Sequence, residues 1–144
     1  MTETVSSTID IAAEPQRILD VLLDYESYPR WAKAVKSARI LSSDEQGRAR
    51  EVEFEVTPGP LPKMRYVLRY EYPENSIAWD YVEGDMREVK GSYVLEPRDG
   101  TTKVTYDLAI DPGRIPLPGF VKARAAREIS RVALKELKRE VERG

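Results

Sequence analysis

The side chains able to do chemistry here are phenols and carboxylates. The chain has 8 tyrosines, 2 tryptophans and 25 acidic residues, with neither histidine nor cysteine. Lacking imidazole and thiol, it cannot run Ser-His-Asp, Cys-His or histidine-ligated zinc mechanisms. Any catalysis would use Asp, Glu, Tyr, Lys or Arg. Glu83 and Glu88 flank one turn as a candidate acid and base, against the simpler reading of solvated loop carboxylates. Glu51, Glu53 and Glu55 share one face of "EVEFEV" and read as solvated sheet surface, since no loop has calcium-ligand spacing. Gly59, Gly84 and Gly91 stand alone, so no glycine loop cradles a phosphate. No cofactor and no metal is called for. "DYESYPRWAK" (24–33) gathers Tyr25, Tyr28, Pro29 and Trp31, either as a core anchor or as one wall of a binding site.

These groups need elements to hold them. "VSSTIDI" (5–11) alternates as a strand, and Pro15 opens a helix with Ile18, Val21 and Leu22 on one face. Pro29 restricts Tyr28 to extended backbone and so ends or breaks that helix. From residue 35 the period becomes two, in runs 35–41, 50–56, 64–72, 77–83, 88–96 and 102–110 separated by short turns. Short links between six runs describe an antiparallel meander. Asp99-Gly100 as a two-residue turn sets Tyr93 opposite Tyr106 and Leu95 opposite Val104. A four-residue "PENS" loop sets Tyr70 opposite Trp79, and a three-residue loop 84–86 sets Trp79 opposite Gly91. A C-terminal helix of about 25 residues carries Val121, Ala125, Ile129, Val132, Ala133, Leu137 and Val141 as one stripe. The length of 144 residues fits a single domain, 1–144.

Alternate turns of a meander lie at opposite ends. Loops 57–62, 83–86 and 111–119 therefore share one end, and Pro58, Pro60, Pro62, Pro112, Pro116 and Pro118 all fall there. A stiffened, long-looped end opposite a tightly turned one suits a mouth above a closed base, with those three loops gating entry.

That element order, with "IDIAAEPQRILDVLLDYESYPRW" (9–31), "GSYVLEPRDGTTKVTYDLAID" (91–111) and "PLPGFVKARAAREISRVALKELKREVE" (116–142), resembles the helix-grip proteins of the START/polyketide cyclase/Bet v 1-like (SRPBCC) superfamily. The match is best with the small bacterial cyclase/dehydrase or coenzyme-Q-binding-like branch. The resemblance implies an α+β helix-grip fold: β-αα-β6-α, a seven-stranded curved antiparallel sheet wrapped around a long C-terminal helix. It also implies a cavity for a hydrophobic ligand between sheet and helix. The residues expected to bind it are Trp31, Tyr66, Leu68, Trp79 and Tyr81, with Tyr93, Tyr106, Phe120 and Ile129.

The first functional reading is binding, transport or sequestration of a lipid, isoprenoid quinone or aromatic polyketide. A second, implied by the same resemblance, is a polyketide cyclase/aromatase or dehydratase with Tyr66, Tyr93 or Tyr106 as the candidate acid or base. A third is a non-catalytic accessory or interaction module. Formal net charge is −2, from 23 basic against 25 acidic residues, which argues against nucleic acid as a partner. No signal peptide and no run long enough for stable membrane insertion is read, so the expected location is cytoplasmic. Arg124, Arg127, Arg131, Lys135 and Lys138 align on the last helix. They form either a salt-bridged solvent face or a dock for an acyl carrier protein or anionic membrane. A homodimer is the other partner considered.

Overall fold

The computed structural model describes residues 2–58, 61–113 and 117–143, so positions 59–60 and 114–116 of the expected gating loops lie outside the described residues. The chain runs β1 (Glu3–Ile11), α1 (Pro15–Leu23), a 3-10 turn (Tyr25–Ser27), α2 (Tyr28–Trp31), β2 (Val35–Ser43), β3 (Ala49–Val56), β4 (Met64–Glu71), β5 (Ser76–Gly84), β6 (Glu88–Arg98), β7 (Thr101–Asp111) and α3 (Gly119–Arg143). The strands make one antiparallel sheet in the order β1-β7-β6-β5-β4-β3-β2. The meander is uninterrupted, and the first strand closes onto the last through pairs such as Ser7↔Tyr106 and Ile9↔Val104. The turns set the registers expected of them: Tyr93↔Tyr106, Leu95↔Val104, Tyr70↔Trp79 and Trp79↔Gly91. This is the helix-grip architecture, a seven-stranded curved sheet closed by a long helix.

Helix α3 presents two apolar faces rather than one stripe. Ser130, Leu134, Leu137 and Val141 are buried, and several polar contacts tie this helix to β1 and α1. Ser130 Oγ donates to the Arg127 carbonyl and so accepts from Ser7 Oγ at 3.0 Å. Lys138 Nζ donates to the Asp10 carbonyl, Glu142 caps the Ala12 amide and Arg17 Nε donates to the Val141 carbonyl. The second face carries Ala125, Ile129, Val132 and Ala133 and looks into a cavity over the rest of the sheet. The helix therefore closes one side of the curved sheet and leaves the other side open.

Tyr28 is helical (φ −53°, ψ −41°), not extended as the following proline suggests. Pro29 sits in the first turn of α2, where its missing N–H would have had no intrahelical partner. Tyr28 Oη donates to the Leu22 carbonyl at 2.6 Å and the Ala32 amide donates to the Tyr28 carbonyl at 2.8 Å, so local bonds oppose the usual pre-proline preference.

Strand β5 runs through Gly84, and the turn to β6 is Asp85–Arg87. Gly84 has φ +135°, and a Cβ there would lie 2.3 Å from the Arg65 carbonyl oxygen, so only glycine fits. The Asp85 amide donates to the Arg65 carbonyl on β4, and the Arg87 amide to the Asp111 carbonyl on β7. Between these anchors the described β5–β6 ladder stops at Trp79↔Gly91. The sheet is forked at that end, and buried Met86 sits at the fork.

Candidate functional site

Between the sheet, α2 and α3 lies a cavity of about 480 Å³. Its floor is a run of inward side chains at period two on β3 to β7: Phe54, Tyr66, Leu68, Tyr70, Trp79, Tyr93 and Tyr106. Trp79 packs on Gly91, with ring carbons 2.7–2.9 Å from where a Cβ would stand, so the glycine makes room for the indole. The rings form a continuous aromatic tract, Trp79 lying 5.5 Å from Tyr93 and 5.7 Å from Tyr106, with Tyr93 and Tyr106 edge-on at 4.8 Å. Such tilted contacts bring ring edges and faces together favourably and fix the rings in place.

One end of this cavity is sealed. Ile18, Leu22 and Tyr25 are fully buried, and Tyr25 packs against Tyr70 with centroids 4.5 Å apart and the rings tilted by 49°. Tyr72 Oη donates to the Ala49 carbonyl at 2.5 Å, which leaves Tyr25 as donor in the 3.1 Å bond between the two hydroxyls. Arg48 covers the Tyr72 ring at 4.7 Å. At the other end the lining is Trp31, Lys33, Thr57, Leu61, Met86 and the helix residues Glu128 and Glu136. Lys33, Thr57 and Glu128 are exposed, so this end is the mouth.

The polar content of the cavity is unusual in its lack of partners. Among the described residues, the hydroxyls of Tyr66, Tyr70, Tyr93 and Tyr106 make no protein hydrogen bond, and no side-chain oxygen is sealed away without a partner. These hydroxyls therefore open into the cavity. Burial pushes Tyr66 up to about 12 and holds Tyr70, Tyr93 and Tyr106 well above the usual phenol range. For Tyr93, the nearby Tyr28 and the Glu136 carboxylate add to the effect of burial. All four stay protonated at neutral pH and available as donors. Left dry, a void of this size would cost about 11 kcal/mol at about 24 cal/mol per Å³. That is the scale of a whole domain's stability, so the cavity needs contents, and the phenols supply the polar anchor points for them.

Of the expected residues, Trp31, Tyr66, Leu68, Trp79, Tyr93, Tyr106 and Ile129 line this cavity. Tyr81 and Phe120 do not. Beyond Trp79, strand β5 leaves β6 and bulges against β4, Leu68 pairing with Tyr81 but Val67 with Glu83. Tyr81 is half-buried and lies outside the cavity lining. Phe120 is 69% exposed, because five residues before Ala125 is about 140° around the helix from the cavity face. Tyr28, Phe54, Tyr70, Met86 and Glu136 also line the cavity and were not among the expected site residues. Phe54 and Tyr70 share the period-two parity of their neighbours. Glu136 lies three residues after Ala133 and four after Val132, a spacing that places it on the cavity face despite its charge.

The other candidate carboxylates serve the outer surface. Glu51 pairs with Arg69 at 3.0 Å, and Glu53 bridges Arg39 and Arg65 at 3.0 and 2.6 Å. The hydrogen bond from Arg65 holds the Glu53 carboxyl below its usual range. Glu83 pairs with the same Arg65 and is 63% exposed, and the Thr2 hydroxyl donates to Glu88. None faces the cavity. On α3, Arg131 pairs with Glu128 and Lys138 with Glu142, as a salt-bridged face requires, while Arg124, Arg127 and Lys135 are exposed. Among the described residues no group of acidic side chains is arranged to hold a metal, and no helix is long and apolar enough to cross a membrane.

A family model described as "Polyketide cyclase / dehydrase and lipid transport" matches residues 2–142. A START superfamily protein from Mycobacterium smegmatis superposes with a TM-score of 0.88 at 26% identity, covering 97% of each chain. The Zhui aromatase/cyclase from Streptomyces sp. R1128 gives 0.77 at 17% identity, over 99% of this chain and 95% of that one. A STAR-related lipid transfer protein fragment from Xanthomonas axonopodis gives 0.76 at 18%, over 96% and 85%. The last two likenesses speak to fold alone. No curated protein matches the sequence.

Proposed function

We propose, from the premise that this chain belongs to the polyketide cyclase / dehydrase and lipid transport family, that it binds an oxygen-bearing aromatic or quinonoid small molecule in the cavity between sheet and α3. The observation that carries this reading is the set of four inward phenols, Tyr66, Tyr70, Tyr93 and Tyr106, that make no hydrogen bond with any described residue, in a cavity whose other polar lining lies at the mouth. A saturated alkyl chain would bury them without partners, at about 1–3 kcal/mol for each group left unsatisfied. Ring carbonyls or hydroxyls satisfy them, and the aromatic tract of Trp79, Tyr93 and Tyr106 offers faces and edges to a flat ligand. Ligand would be held by Trp31, Tyr66, Leu68, Trp79, Tyr93, Tyr106 and Ile129, joined by Tyr70 and Phe54.

Native mass spectrometry of the freshly purified protein, followed by thermal shift with quinone, aromatic polyketide and fatty-acid panels, tests this. Quinones or polyketides should raise the melting temperature, by the equivalent of about 2.7 kcal/mol at a hundred times Kd. Stabilisation by saturated fatty acids alone, or by nothing, overturns it.

A cyclase or aromatase reading rests on the same phenols. Held protonated, they would act as acids toward a substrate carbonyl, while the aromatic walls hold a flexible chain in one fold. Turnover of a polyketide mimic that persists when Tyr66, Tyr93 and Tyr106 are all changed to Phe removes that reading.

A further inference from the structure

Among the described residues, the cavity's charged lining is confined to the mouth, at Lys33, Glu128 and Glu136. These three differ in how they are held. Glu128 is exposed and pairs with Arg131. Lys33 is exposed, its ammonium on a flexible stem in solvent. Glu136 is half-buried, and its Oε2 accepts the Lys33 backbone amide at 3.2 Å. No described residue donates to its Oε1. The carboxylate is thus fixed in orientation across the mouth with one oxygen able to accept. Its charge reaches the Tyr93 phenol, which places it within range of a ligand resting on that ring.

The cavity is therefore polar in an ordered way. Deep inside, Tyr70, Tyr93 and Tyr106 are 7–8% exposed and offer donors. At the lip Glu136 offers an acceptor that carries a full negative charge. We infer that Glu136 is a specificity-determining residue: it selects a ligand whose outer end is a neutral hydrogen-bond donor, such as a hydroxyl, and rejects one whose outer end is a carboxylate. A hydroxyl at the mouth donates to Oε1 in a charge-assisted bond. A carboxylate there meets like charge in a partly desolvated setting, and among the described lining residues the one cation to offset it is the screened Lys33 ammonium. This inference rests on the reading of the cavity as a site for an oxygenated ring system.

The test uses two probes on one skeleton, hydroxymethyl-anthraquinone and anthraquinone carboxylate substituted at the same ring position. Both keep ring carbonyls for the phenols. Binding is read by quenching of Trp31 and Trp79, which line the cavity. The intact protein should prefer the hydroxymethyl probe by about tenfold, the size of one hydrogen bond to a charged group. Glu136→Gln keeps an oxygen for the Lys33 amide and should bring the preference close to unity, chiefly by tightening the carboxylate. Glu140→Gln removes the same charge one turn further along α3, away from the cavity, and should leave the preference intact. Equal binding of the two probes, tighter binding of the carboxylate, or a preference untouched by Glu136→Gln overturns the inference while leaving the binding function standing. So does a preference that Glu140→Gln removes equally, since the effect is then one of overall charge. Quenching by neither probe overturns the inference and the parent reading together.

Discussion

At the base of the cavity Tyr25 donates to Tyr72, and Tyr72 to the Ala49 carbonyl. A few ångströms away Tyr70, Tyr93 and Tyr106 present the same hydroxyl to no protein acceptor among the described residues. The residue type is constant and the bookkeeping of hydrogen bonds differs. At the base the bonds join the 3-10 turn after α1 to the residue following β4 and to the start of β3, and help to close the fold. Toward the mouth the equivalent bonds are left to whatever occupies the cavity. The two ends teach that an aromatic residue's role here is set by where its oxygen finds a partner, and burial alone does not reveal it: Tyr25 is 0% exposed and Tyr106 only 7%.

The contrast can be broken by substitution. Tyr25→Ala at the sealed end should be the most damaging change, costing about 3–5 kcal/mol in chemical denaturation as a large ring is lost from the core. A cost near that of a surface change would show the base to be no keystone. High pH tests the buried phenols as a group. Unfolded tyrosines lose their protons near 10, whereas Tyr66 holds its proton to about 12 and Tyr70, Tyr93 and Tyr106 higher. Between those values the folded state binds more protons than the unfolded, so stability falls as pH rises. The slope should approach about 1.4 kcal/mol per pH unit for each such phenol. Denaturation at stepped alkaline pH should show the slope flatten with each Tyr→Phe change, and an unchanged slope would place those phenols in water.

Smaller effects sharpen the line between the ends. Gly91 lies midway, and Gly91→Ala would set a Cβ 2.4 Å from the Asp107 carbonyl oxygen and within 3 Å of the Trp79 ring. The expected cost is about 1–3 kcal/mol, with a shifted tryptophan emission spectrum. Unaltered emission would mean that the indole does not depend on the missing side chain. The finest comparison is Tyr25→Phe against Tyr106→Phe. The first removes a bond within the protein and should cost about 0.5–1.5 kcal/mol of stability. The second should change stability by no more than about 0.5 kcal/mol and weaken ligand instead. Equal stability losses from the two would erase the distinction.

Much of this was legible in the sequence where local geometry propagates. Once Asp99-Gly100 and "PENS" are read as turns, strand alternation carries their registers along β4 to β7, because a slip of one residue would invert every face. What escaped depended on contacts distant in sequence. The helical state of Tyr28 rests on its hydroxyl reaching Leu22. Tyr81 follows alternation until β5 parts from β6, a break that no periodicity announces. The resemblance places Phe120 among the ligand-binding residues, yet helix geometry turns it outward. Glu136 was passed over for the opposite reason: a carboxylate on a helix reads as solvated surface until the amide that holds it is seen. Leu134 falls outside the expected stripe because that stripe runs across parts of both buried faces of α3 and does not separate them.

The fork between β5 and β6 has a mechanical consequence. A ladder zipped along its whole length would fix the girth of the cavity. Here β1, β6 and β7 form one leaf and β2 to β5 another, and beyond Trp79↔Gly91 the link across the seam is the turn carrying Met86, with the exposed Lys90–Asp80 pair at 3.8 Å. The Asp85 amide grips one leaf and the Arg87 amide the other. The leaves can spread at that end by bending one short turn, at no expense in ladder hydrogen bonds, while an unbranched thioether side chain fills the widening gap. The base is tied by the Tyr25–Tyr72–Ala49 hydrogen bonds and the lip by that one turn, so any change in girth would be taken up at the lip.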